Sequence, residues 1–378
     1  MHERATGSAT DRTQDTSLSW EAAWQEALYG AGGFYRRSAP AAHFATSAQG
    51  IPGGGRVLAE AVAALAARHG CDRVVDVGAG RGELLAELRR VSPALHLTGV
   101  DVVARPAGLD VEEWHVAPGG TALPDTLRDL DATLLLAHEW LDVVPCPVVQ
   151  RDGTGVWRTV EVSRTAQGGR WRDSLGAPVE GEELAWVRRW LGDGPEGAPA
   201  GPLLRRTGSA AVTHQRSGTA SADESVVRAE VGLPREVAFA DVVRRVRSGL
   251  VVAVDYGHTA EDRPAHGTLT GFRGGRQVDP VPDGSCDLTA HVAVDALAAS
   301  LPSPTGHPVV TPRRQREVLR DLLGDPSAPV PHALARDQPR AYLDALARRA
   351  AARTLSSGVL GDFWWLVVEV DRGRPDRA

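Results

Sequence analysis

The segment VVDVGAGRGE at residues 74–83 constrains the fold more than any other feature of this sequence. It places one acid, Asp76, inside an apolar β-branched run, and three glycines follow at alternate positions, Gly78, Gly80 and Gly82. Glycine tolerates positive φ and close approach of a ligand, and the first amides of the next helix have no intrahelical partner. The segment therefore predicts a strand–loop–helix unit with a ligand at the loop. The alternative is a tight turn that binds nothing.

Apolar runs that alternate with helical patterns extend this unit into a larger sheet. The strand-like runs are 73–77, 95–101, 132–137, 250–254 and 363–370, and the helical patterns are 18–30, 57–69, 83–90, 234–247, 312–323 and 339–355. Short buried strands between helices are typical of a parallel sheet covered on both faces. The predicted fold class is α/β, a Rossmann-like sheet with helices on both faces and long insertions that form a cap subdomain.

Changes in composition and hydrophobic pattern along the chain predict how this fold is divided. The predicted parts are a disordered leader at 1–17, an N-terminal cap segment at 18–56, a core in three pieces at 57–145, 230–257 and 358–371, and insertions at 146–229 and 258–357. The first insertion begins with a hairpin around Asp152–Gly155. It also contains 192–225, whose Gly, Pro, Ser, Thr and Ala predict a mobile linker.

Four acids stand at or just beyond predicted strand ends: Asp76, Asp101, Glu139 and Asp255. In open α/β sheets, ligands bind outside the carboxyl ends of the strands. We therefore expect these carboxylates to converge on one ligand-binding edge of the sheet.

The glycine spacing and the acids favour one ligand over another. The loop reads G-x-G-x-G, not the G-x-G-x-x-G of nicotinamide sites, and Asp76 would attract a cation rather than a pyrophosphate. S-adenosyl-L-methionine carries an ammonium and a sulfonium and has no phosphate. Asp101, 19 residues after Gly82, is placed to accept hydrogen bonds from its ribose hydroxyls. The sequence therefore predicts an S-adenosylmethionine site.

Composition removes several other classes of protein. All 42 basic residues are arginine, which excludes a Schiff-base or P-loop lysine, and the net charge of −6 gives no general basic surface for nucleic acid. The three cysteines form no CxxC pair, so we expect no metal site and a reducing, cytoplasmic compartment. No apolar run approaches 18 residues, so no membrane partner is expected.

The chain resembles the MidA-type class I methyltransferases, the family of the mitochondrial complex I assembly-factor methyltransferase. The likeness runs from about residue 27 to 370 and is carried by ALY (27–29), GGFY (32–35), HFATS (43–47), VVDVGAGRGELL (74–85), HEWLDVVP (138–145), VDYGH (254–258), GTL (267–269), DLTAHV (287–292), Gln315 with LRDLLG (319–324), and GDF (361–363). The glycine loop is common to class I methyltransferases. The segments that follow it are far more specific to this family.

The resemblance implies S-adenosyl-L-methionine as donor, and some members methylate an arginine of a partner protein. The candidate cofactor-binding residues are Asp76, Gly78, Ala79, Gly80, Gly82, Asp101, Val102 and His138. The candidate catalytic residues on the acceptor side are Glu139, Asp142, Asp255 and His291, and Tyr29, Phe34 and Tyr35 are candidates to cover the donor. Structural alternatives remain: a cap for Asp142 or Asp255, a surface ion pair for Glu139, a core histidine for His291 and ordinary cap packing for the aromatics.

Departures from the family pattern lie near the expected acceptor pocket. His138 replaces an asparagine, His43 and Ala45 stand in a segment that usually reads Gly-Asp-Phe, and Ala293-Val294 replaces Asp-Phe. The acceptor therefore stays open between a protein arginine and a small molecule methylated on O or N. A third alternative is a donor-binding assembly factor with little catalysis. The expected partners are a protein or small-molecule acceptor and a second copy of the chain.

Overall fold

The structure is a computed structural model, and it describes residues 17–37, 50–164, 170–192, 226–301, 310 and 312–371. Most of the predicted leader, the predicted mobile segment beyond Gly192 and the HFATS segment lie outside the described residues. Among the helices of these ranges, none has both the length and the apolar character needed to cross a membrane.

Helices and short strands alternate along the described ranges. The helices are α1 (Trp20–Tyr29), α2 (Phe34–Arg37), α3 (Gly54–Arg68), α4 (Glu83–Val91), α5 (Gly181–Leu191), α6 (Leu233–Arg245), α7 (Val294–Ala299), α8 (Gln315–Leu323), α9 (His332–Asp337), α10 (Pro339–Leu355) and α11 (Gly358–Gly361). The strands are β1 (Leu18–Ser19), β2 (Arg73–Val77), β3 (His96–Asp101), β4 (Glu113–Val116), β5 (Thr133–His138), β6 (Val148–Arg151), β7 (Trp157–Arg164), β8 (Trp171–Pro178), β9 (Arg228–Glu230), β10 (Ser248–Asp255), β11 (Gly257–His258), β12 (Thr270–Arg273), β13 (Arg276–Val278), β14 (Asp287–Thr289), β15 (Val292–Ala293), β16 (Arg313–Arg314) and β17 (Trp364–Asp371).

Seven of these strands form the central sheet, in the order β16-β17-β10-β5-β2-β3-β4. The strands from β10 to β4 are parallel, and β17 pairs antiparallel with both β10 and β16. The carboxyl ends of β2, β3, β5 and β10 consequently share one edge. Residues 78, 102, 139 and 256 begin the loops that leave this edge.

Neighbouring residues of the central strands serve opposite faces of the sheet, as the pleat requires. Leu134 and Leu136 pack with α3, α4 and α8, whereas Leu135 and Ala137 pack with α6 and α7. All four side chains are fully buried. A strand buried on both faces needs an unbroken apolar run, which explains why the sequence pattern marked β5 so clearly. The predicted α/β class with helices on both faces is confirmed.

A second sheet is built largely from residues of the first insertion. Its strands run in the order β1-β7-β6-β9, and β8 pairs with the outer part of β7. Helix α1 packs on this sheet through Trp20 and Trp24, and α5 packs on it through Trp186 and Trp190. Buried tryptophans of α1 and α5 therefore pack both helices onto this sheet.

Several elements were absent from the sequence prediction or differ from it. Strand β4 (EWHV) is a half-exposed edge strand, so it has no apolar run that could mark it. The sequence pattern marked no strands between Asp255 and Ala290, yet this region contains β11 to β14. The 258–357 insertion also supplies β16 to the edge of the central sheet. These strands are only two to four residues long, too short to show a period in the sequence.

Candidate active site

A cavity of about 510 Å³ opens at the carboxyl edge of the central sheet. It is lined by the loop after β2, the end of β3, the turn after β5, residues of α1 and α2, and the loop that contains Gly119 and Leu123. This volume suits a small molecule or cofactor. Of the predicted cofactor-binding residues, Gly82 does not line this cavity, and the others do.

The glycine loop turns sharply between β2 and α4. Gly78, Gly80 and Gly82 have φ of 74°, 60° and 75°, values that a residue with a side chain adopts only at a cost. A Cβ atom on Gly78 would stand 3.3 Å from Cδ1 of Trp140, so the loop also fits closely against the turn after β5. Both conditions explain the glycines, and they leave the backbone exposed to the cavity.

Asp76 is a buried acid with no hydrogen-bond partner for its carboxylate among the described residues, and it lines the cavity. Burial raises its pKa to about 8, and the nearby carboxylates of Asp101 and Glu83 add to the shift. A carboxylate in this state lacks a compensating cation. The ammonium group of a ligand would supply that cation.

Asp101 closes the other side of the glycine loop. Its Oδ2 accepts a hydrogen bond of 2.7 Å from the Gly80 amide, and its Oδ1 accepts one of 3.2 Å from the Val103 amide. Burial raises its pKa to about 6, although these amides oppose the shift. The carboxylate is thereby fixed in orientation at the end of β3. Its remaining lone pairs can accept from hydroxyl groups in the cavity.

Glu139, the first residue after β5, has an unusual backbone conformation. Its φ is +50°, and its amide donates to the Val254 carbonyl at 2.8 Å. A non-glycine residue in this region is strained, and such strain is concentrated at functional sites. The conformation turns the chain at the sheet edge, and the Glu139 side chain, 12% exposed, lines the cavity.

Asp255 holds this turn from the neighbouring strand. Its Oδ2 accepts from the amides of Leu141 and Asp142, both at 3.1 Å, and its Oδ1 accepts from the Tyr256 amide at 2.9 Å. Burial and the acids Asp142 and Glu139 raise its pKa well above the ordinary value. Asp255 is not among the residues that line the cavity. Its contacts are those of a cap on the 139–142 turn.

Asp142 lines the cavity, and hydrogen bonds from two hydroxyl groups fix the orientation of its carboxylate. Tyr256 and Thr289 both donate to its Oδ2, the Thr289 bond measuring 2.6 Å. Its Oδ1 is buried and has no hydrogen-bond partner among the described residues. Burial raises the pKa of this carboxyl, and the two hydroxyl donors oppose that shift. An ionised Asp142 would thus offer one free oxygen toward a donor group on a ligand.

The two candidate histidines lie in different places. His138 lines the cavity, and its Nε2 is 3.8 Å from Oε1 of Glu139. Burial lowers the His138 pKa to about 4, so the ring is neutral near pH 7. His291 is exposed, outside the cavity lining, and packs edge-on against the Tyr256 ring at 5.2 Å between centroids. The structure thus brings His138, Glu139 and Asp142 together at the cavity and leaves His291 outside its lining.

Residues of the N-terminal cap close the cavity from the other side. Tyr29 donates to the Val143 carbonyl at 3.1 Å, and Tyr35 donates to Oδ1 of Asp287 at 2.7 Å. Both tyrosines line the cavity, whereas Phe34 is buried in the cap. Arg36, which the sequence analysis did not single out, also lines it and donates to the Tyr29 carbonyl at 2.9 Å.

Thr289 and Trp140 are further residues that sequence reasoning did not single out. Both stand inside segments that carried the family resemblance, so their positions were marked but their roles were not. A polar residue such as Thr289 inside a fully buried strand, β14, is a usable signal. Buried polar groups are held by hydrogen bonds, and here the bond goes to Asp142.

The charges of the cavity match an S-adenosylmethionine molecule. Among the described residues, the lining contains five carboxylates and three arginines, and two of the arginines, Arg36 and Arg37, donate to backbone carbonyls. The donor carries two positive groups and one negative group. Asp76 fits the ammonium, Asp101 fits the ribose hydroxyls and the exposed loop backbone fits close approach of the molecule.

Comparison with known proteins agrees with this geometry. The profile of the family described as "Putative S-adenosyl-L-methionine-dependent methyltransferase" matches residues 112–306, just over half of the chain. The match begins after the glycine loop and includes the turn after β5 and the 287–292 segment. No curated protein matches the chain.

Two solved structures from Burkholderia thailandensis share the fold. A protein bound to S-adenosyl-homocysteine is 20% identical, with a TM-score of 0.66, and the alignment covers 93% of this chain and 88% of that one. A native crystal structure from the same organism is also 20% identical, with a TM-score of 0.62 and coverage of 93% and 87%. At this identity the likeness shows the fold.

Proposed function

The chain belongs to this family of S-adenosyl-L-methionine-dependent methyltransferases, and we propose that it methylates the guanidinium group of a protein arginine. One observation carries the acceptor part of the proposal. Asp142 lines the cavity, and its Oδ1 is buried and has no hydrogen-bond partner among the described residues, while its Oδ2 is held by two hydroxyls. Such an oxygen calls for a hydrogen-bond donor on the substrate.

A guanidinium group suits this side of the cavity better than a neutral hydroxyl. It is planar, always charged near neutral pH and has five N–H donors in a fork that pairs with carboxylates. Glu139 and Asp142 stand three residues apart on one strained turn, and both line the cavity. A carboxyl whose pKa is raised by burial, as the pKa of Asp142 is, gains most from a permanently charged partner.

On the donor side, bound S-adenosylmethionine supplies the reactive methyl group on its sulfonium. Asp76 would hold the ammonium, Asp101 would hold the ribose hydroxyls, and the loop from Gly78 to Gly82 would lie against the ligand. Trp140 and the cap tyrosines Tyr29 and Tyr35 line the cavity, and their rings would exclude water from a bound ligand. Because this donor is intrinsically reactive, positioning and exclusion of water are the main contributions asked of the protein.

The acceptor-side carboxylates would also handle the proton. The acceptor nitrogen loses one proton when it gains the methyl group, and Glu139 or Asp142 is placed to accept it. His138 stays neutral near pH 7 because burial lowers its pKa to about 4. A neutral imidazole beside the turn adds no positive charge that would repel a cationic acceptor.

The MidA-type branch and a cytoplasmic site of action complete the proposal. The turn after β5, the Asp255–Gly257 segment and Thr289 are joined by hydrogen bonds into one acceptor-side network, which supports the resemblance as a unit. The cysteines, Cys71, Cys146 and Cys286, are buried free thiols, which is the usual state in a reducing compartment.

Transfer of labelled methyl into an extract of a strain that lacks this gene tests the proposal. We expect the label in the protein fraction, and as methylarginine after acid hydrolysis. Asp142→Asn should lower the rate of methyl transfer by about 100-fold or more, equivalent to about 2.7 kcal/mol of barrier, because the substitution replaces the charged carboxylate with a neutral amide. Its affinity for S-adenosylhomocysteine should change by less than about threefold, since the donor is held by Asp76 and Asp101.

Asp344→Asn is the matched control. Asp344 is an exposed aspartate on α10 and does not line the cavity, so this variant should transfer methyl at the wild-type rate. Label confined to the small-molecule fraction would contradict the arginine acceptor. Full activity in Asp142→Asn would remove Asp142 from acceptor binding.

A further inference from the structure

Arg235, in the first turn of α6, is almost completely buried, with 2% of its surface exposed. Its guanidinium donates to three backbone carbonyls: Nη2 to Asp142 at 2.8 Å, Nη1 to His291 at 2.8 Å and Nε to Val144 at 3.3 Å. A fork of this kind fixes the relative positions of its acceptors in a way that a single ammonium cannot.

The three carbonyls belong to two different segments on the acceptor side. Asp142 and Val144 are in the turn after β5, and His291 follows β14, which supplies Thr289. The same guanidinium lies 5.8 Å from the ring centre of Trp24 in α1. The arginine consequently joins the turn, the β14 segment and the N-terminal cap at one point.

The charge of Arg235 has no direct ion-pair partner among the carboxylates of the described residues. A buried charge without compensation is unfavourable, so its balance must come from acids nearby. Asp142 and Asp255 are both buried, and the Asp142 amide donates to Asp255. Arg235 lowers the pKa of each carboxyl and so opposes the effect of burial.

We propose that Arg235 is the positioning residue of the acceptor side: its buried cation balances Asp142 and Asp255, and its fork holds the turn that presents Asp142 to the cavity. The role rests on the proposed function, because it assigns Asp142 to acceptor binding. The ionisable groups that face Asp142 from the surrounding elements are Glu139, His138, Asp255, Tyr256, Asp287, Tyr35, Tyr29 and Arg235. Arg235 is the cation of this set.

Titration of the Asp142 carboxyl tests the charge balance without any acceptor. The Cγ resonance of ¹³C-labelled aspartate is followed against pH in full-length protein saturated with S-adenosylhomocysteine, and Asp142→Asn identifies the signal by its loss. In Arg235→Met, which keeps an unbranched stem and loses the charge, the midpoint should rise by about half a unit or more. In Arg235→Lys, which keeps the charge, the midpoint should stay within about 0.3 unit of wild type.

The transfer assay tests the fork. Arg235→Lys should lower methyl incorporation into the extract by about tenfold or more, because one ammonium cannot hold three carbonyls in the same geometry. Arg244→Met is the matched control: Arg244 is in the same helix, its side chain is 67% exposed, and its Nη2 donates to Oδ1 of Asp241 in that helix at 2.9 Å. That variant should leave both the Asp142 midpoint and the methyl transfer unchanged.

An unmoved Asp142 midpoint in Arg235→Met would overturn the proposal, and so would an equal shift in Arg244→Met. If Arg235→Met does not fold, a midpoint raised by half a unit or more in Arg235→Lys would also overturn it, since the charge is retained there. A titration that behaves as expected, together with no methylarginine in the extract, would reject the arginine acceptor and leave the charge balance standing.

Discussion

Glu139 provides a test that separates backbone strain from side-chain function. Its φ of +50° places an L-residue in the left-handed region, which costs about 1–2 kcal/mol. Glycine is free of this penalty, but it raises the conformational entropy of the unfolded chain, which lowers the free energy of unfolding by about 0.4–1 kcal/mol. We therefore expect Glu139→Gly to be about 0.5–1 kcal/mol more stable than Glu139→Ala.

Alanine is the proper reference because both variants lack the carboxylate and differ only in the Cβ atom. The strained conformation is held by backbone hydrogen bonds that both variants keep. The amide of residue 139 donates to the Val254 carbonyl, and the amides of Leu141 and Asp142 donate to the Asp255 carboxylate. The comparison therefore reports the backbone cost, and the carboxylate's own contributions cancel.

Chemical denaturation measures the difference, with equal m-values in the two variants as the condition for comparing midpoints. Both variants should lose methyl transfer and keep their affinity for S-adenosylhomocysteine within about threefold. Ala132→Gly is the control: Ala132 also has positive φ, +46°, and does not line the cavity. It should gain stability by a similar amount and transfer methyl normally.

A Glu139→Gly variant no more stable than Glu139→Ala would refute the strain argument. It would mean that residue 139 relaxes to negative φ in solution, and that the turn is not fixed by Asp255. Loss of transfer in Ala132→Gly would show that transfer is sensitive to backbone freedom in general, and that the loss in Glu139→Gly is not evidence for the carboxylate.

Two further predictions concern the donor side. Because the pKa of Asp76 is raised to about 8 and that of Asp101 to about 6, affinity for S-adenosylhomocysteine should increase by about tenfold or more between pH 6 and pH 8. Asp76→Asn should weaken binding, and calorimetry should show a smaller increase in affinity over the upper part of this pH range. A pH-independent affinity would show that neither carboxylate meets the ligand's cation. Gly78→Ala should weaken this affinity, because φ is +74° and its Cβ would stand 3.3 Å from Trp140. Gly274 has φ of +57° and no atom within 4 Å of where its Cβ would stand, so Gly274→Ala should lose only stability, through backbone strain, and bind normally. Equal binding losses in the two variants would contradict the role given to the glycine loop.

The geometry of the proposed donor side, a glycine loop between two strands that carry acids, was predictable because short stretches of the sequence encode it. The glycine loop requires positive φ at Gly78, Gly80 and Gly82, and only one residue type meets that requirement cheaply. Asp76 interrupts an apolar strand, and Asp101 ends the next one. Each of these features can be read within about ten residues, without knowing what lies across the fold.

The acceptor side depends on contacts between segments far apart in the chain, which no local pattern reveals. Asp142 is bonded to Thr289, 147 residues away, and its carbonyl accepts from Arg235, 93 residues away. Asp255 looked like a ligand acid because it ends a strand, yet its carboxylate is used by the amides of a turn 113 residues earlier. Only the packing shows which oxygens are already occupied.

This difference explains how one fold keeps its donor and changes its acceptor. On the proposed assignment, the donor would meet mostly backbone and two acids fixed at strand ends, so a change there would disturb the central sheet itself. The proposed acceptor would meet Glu139 and Asp142, and the geometry of this turn is set by contacts with β10, β14, α6 and Tyr256. Substitution of one such supporting residue can move the acceptor carboxylates while leaving the glycine loop intact. His138, at the border of the two halves, is neutral and lines the cavity, so the asparagine-to-histidine difference falls where the acceptor side begins. Specificity in this protein is therefore expected to follow the buried supports of Asp142 more closely than the donor-binding motif.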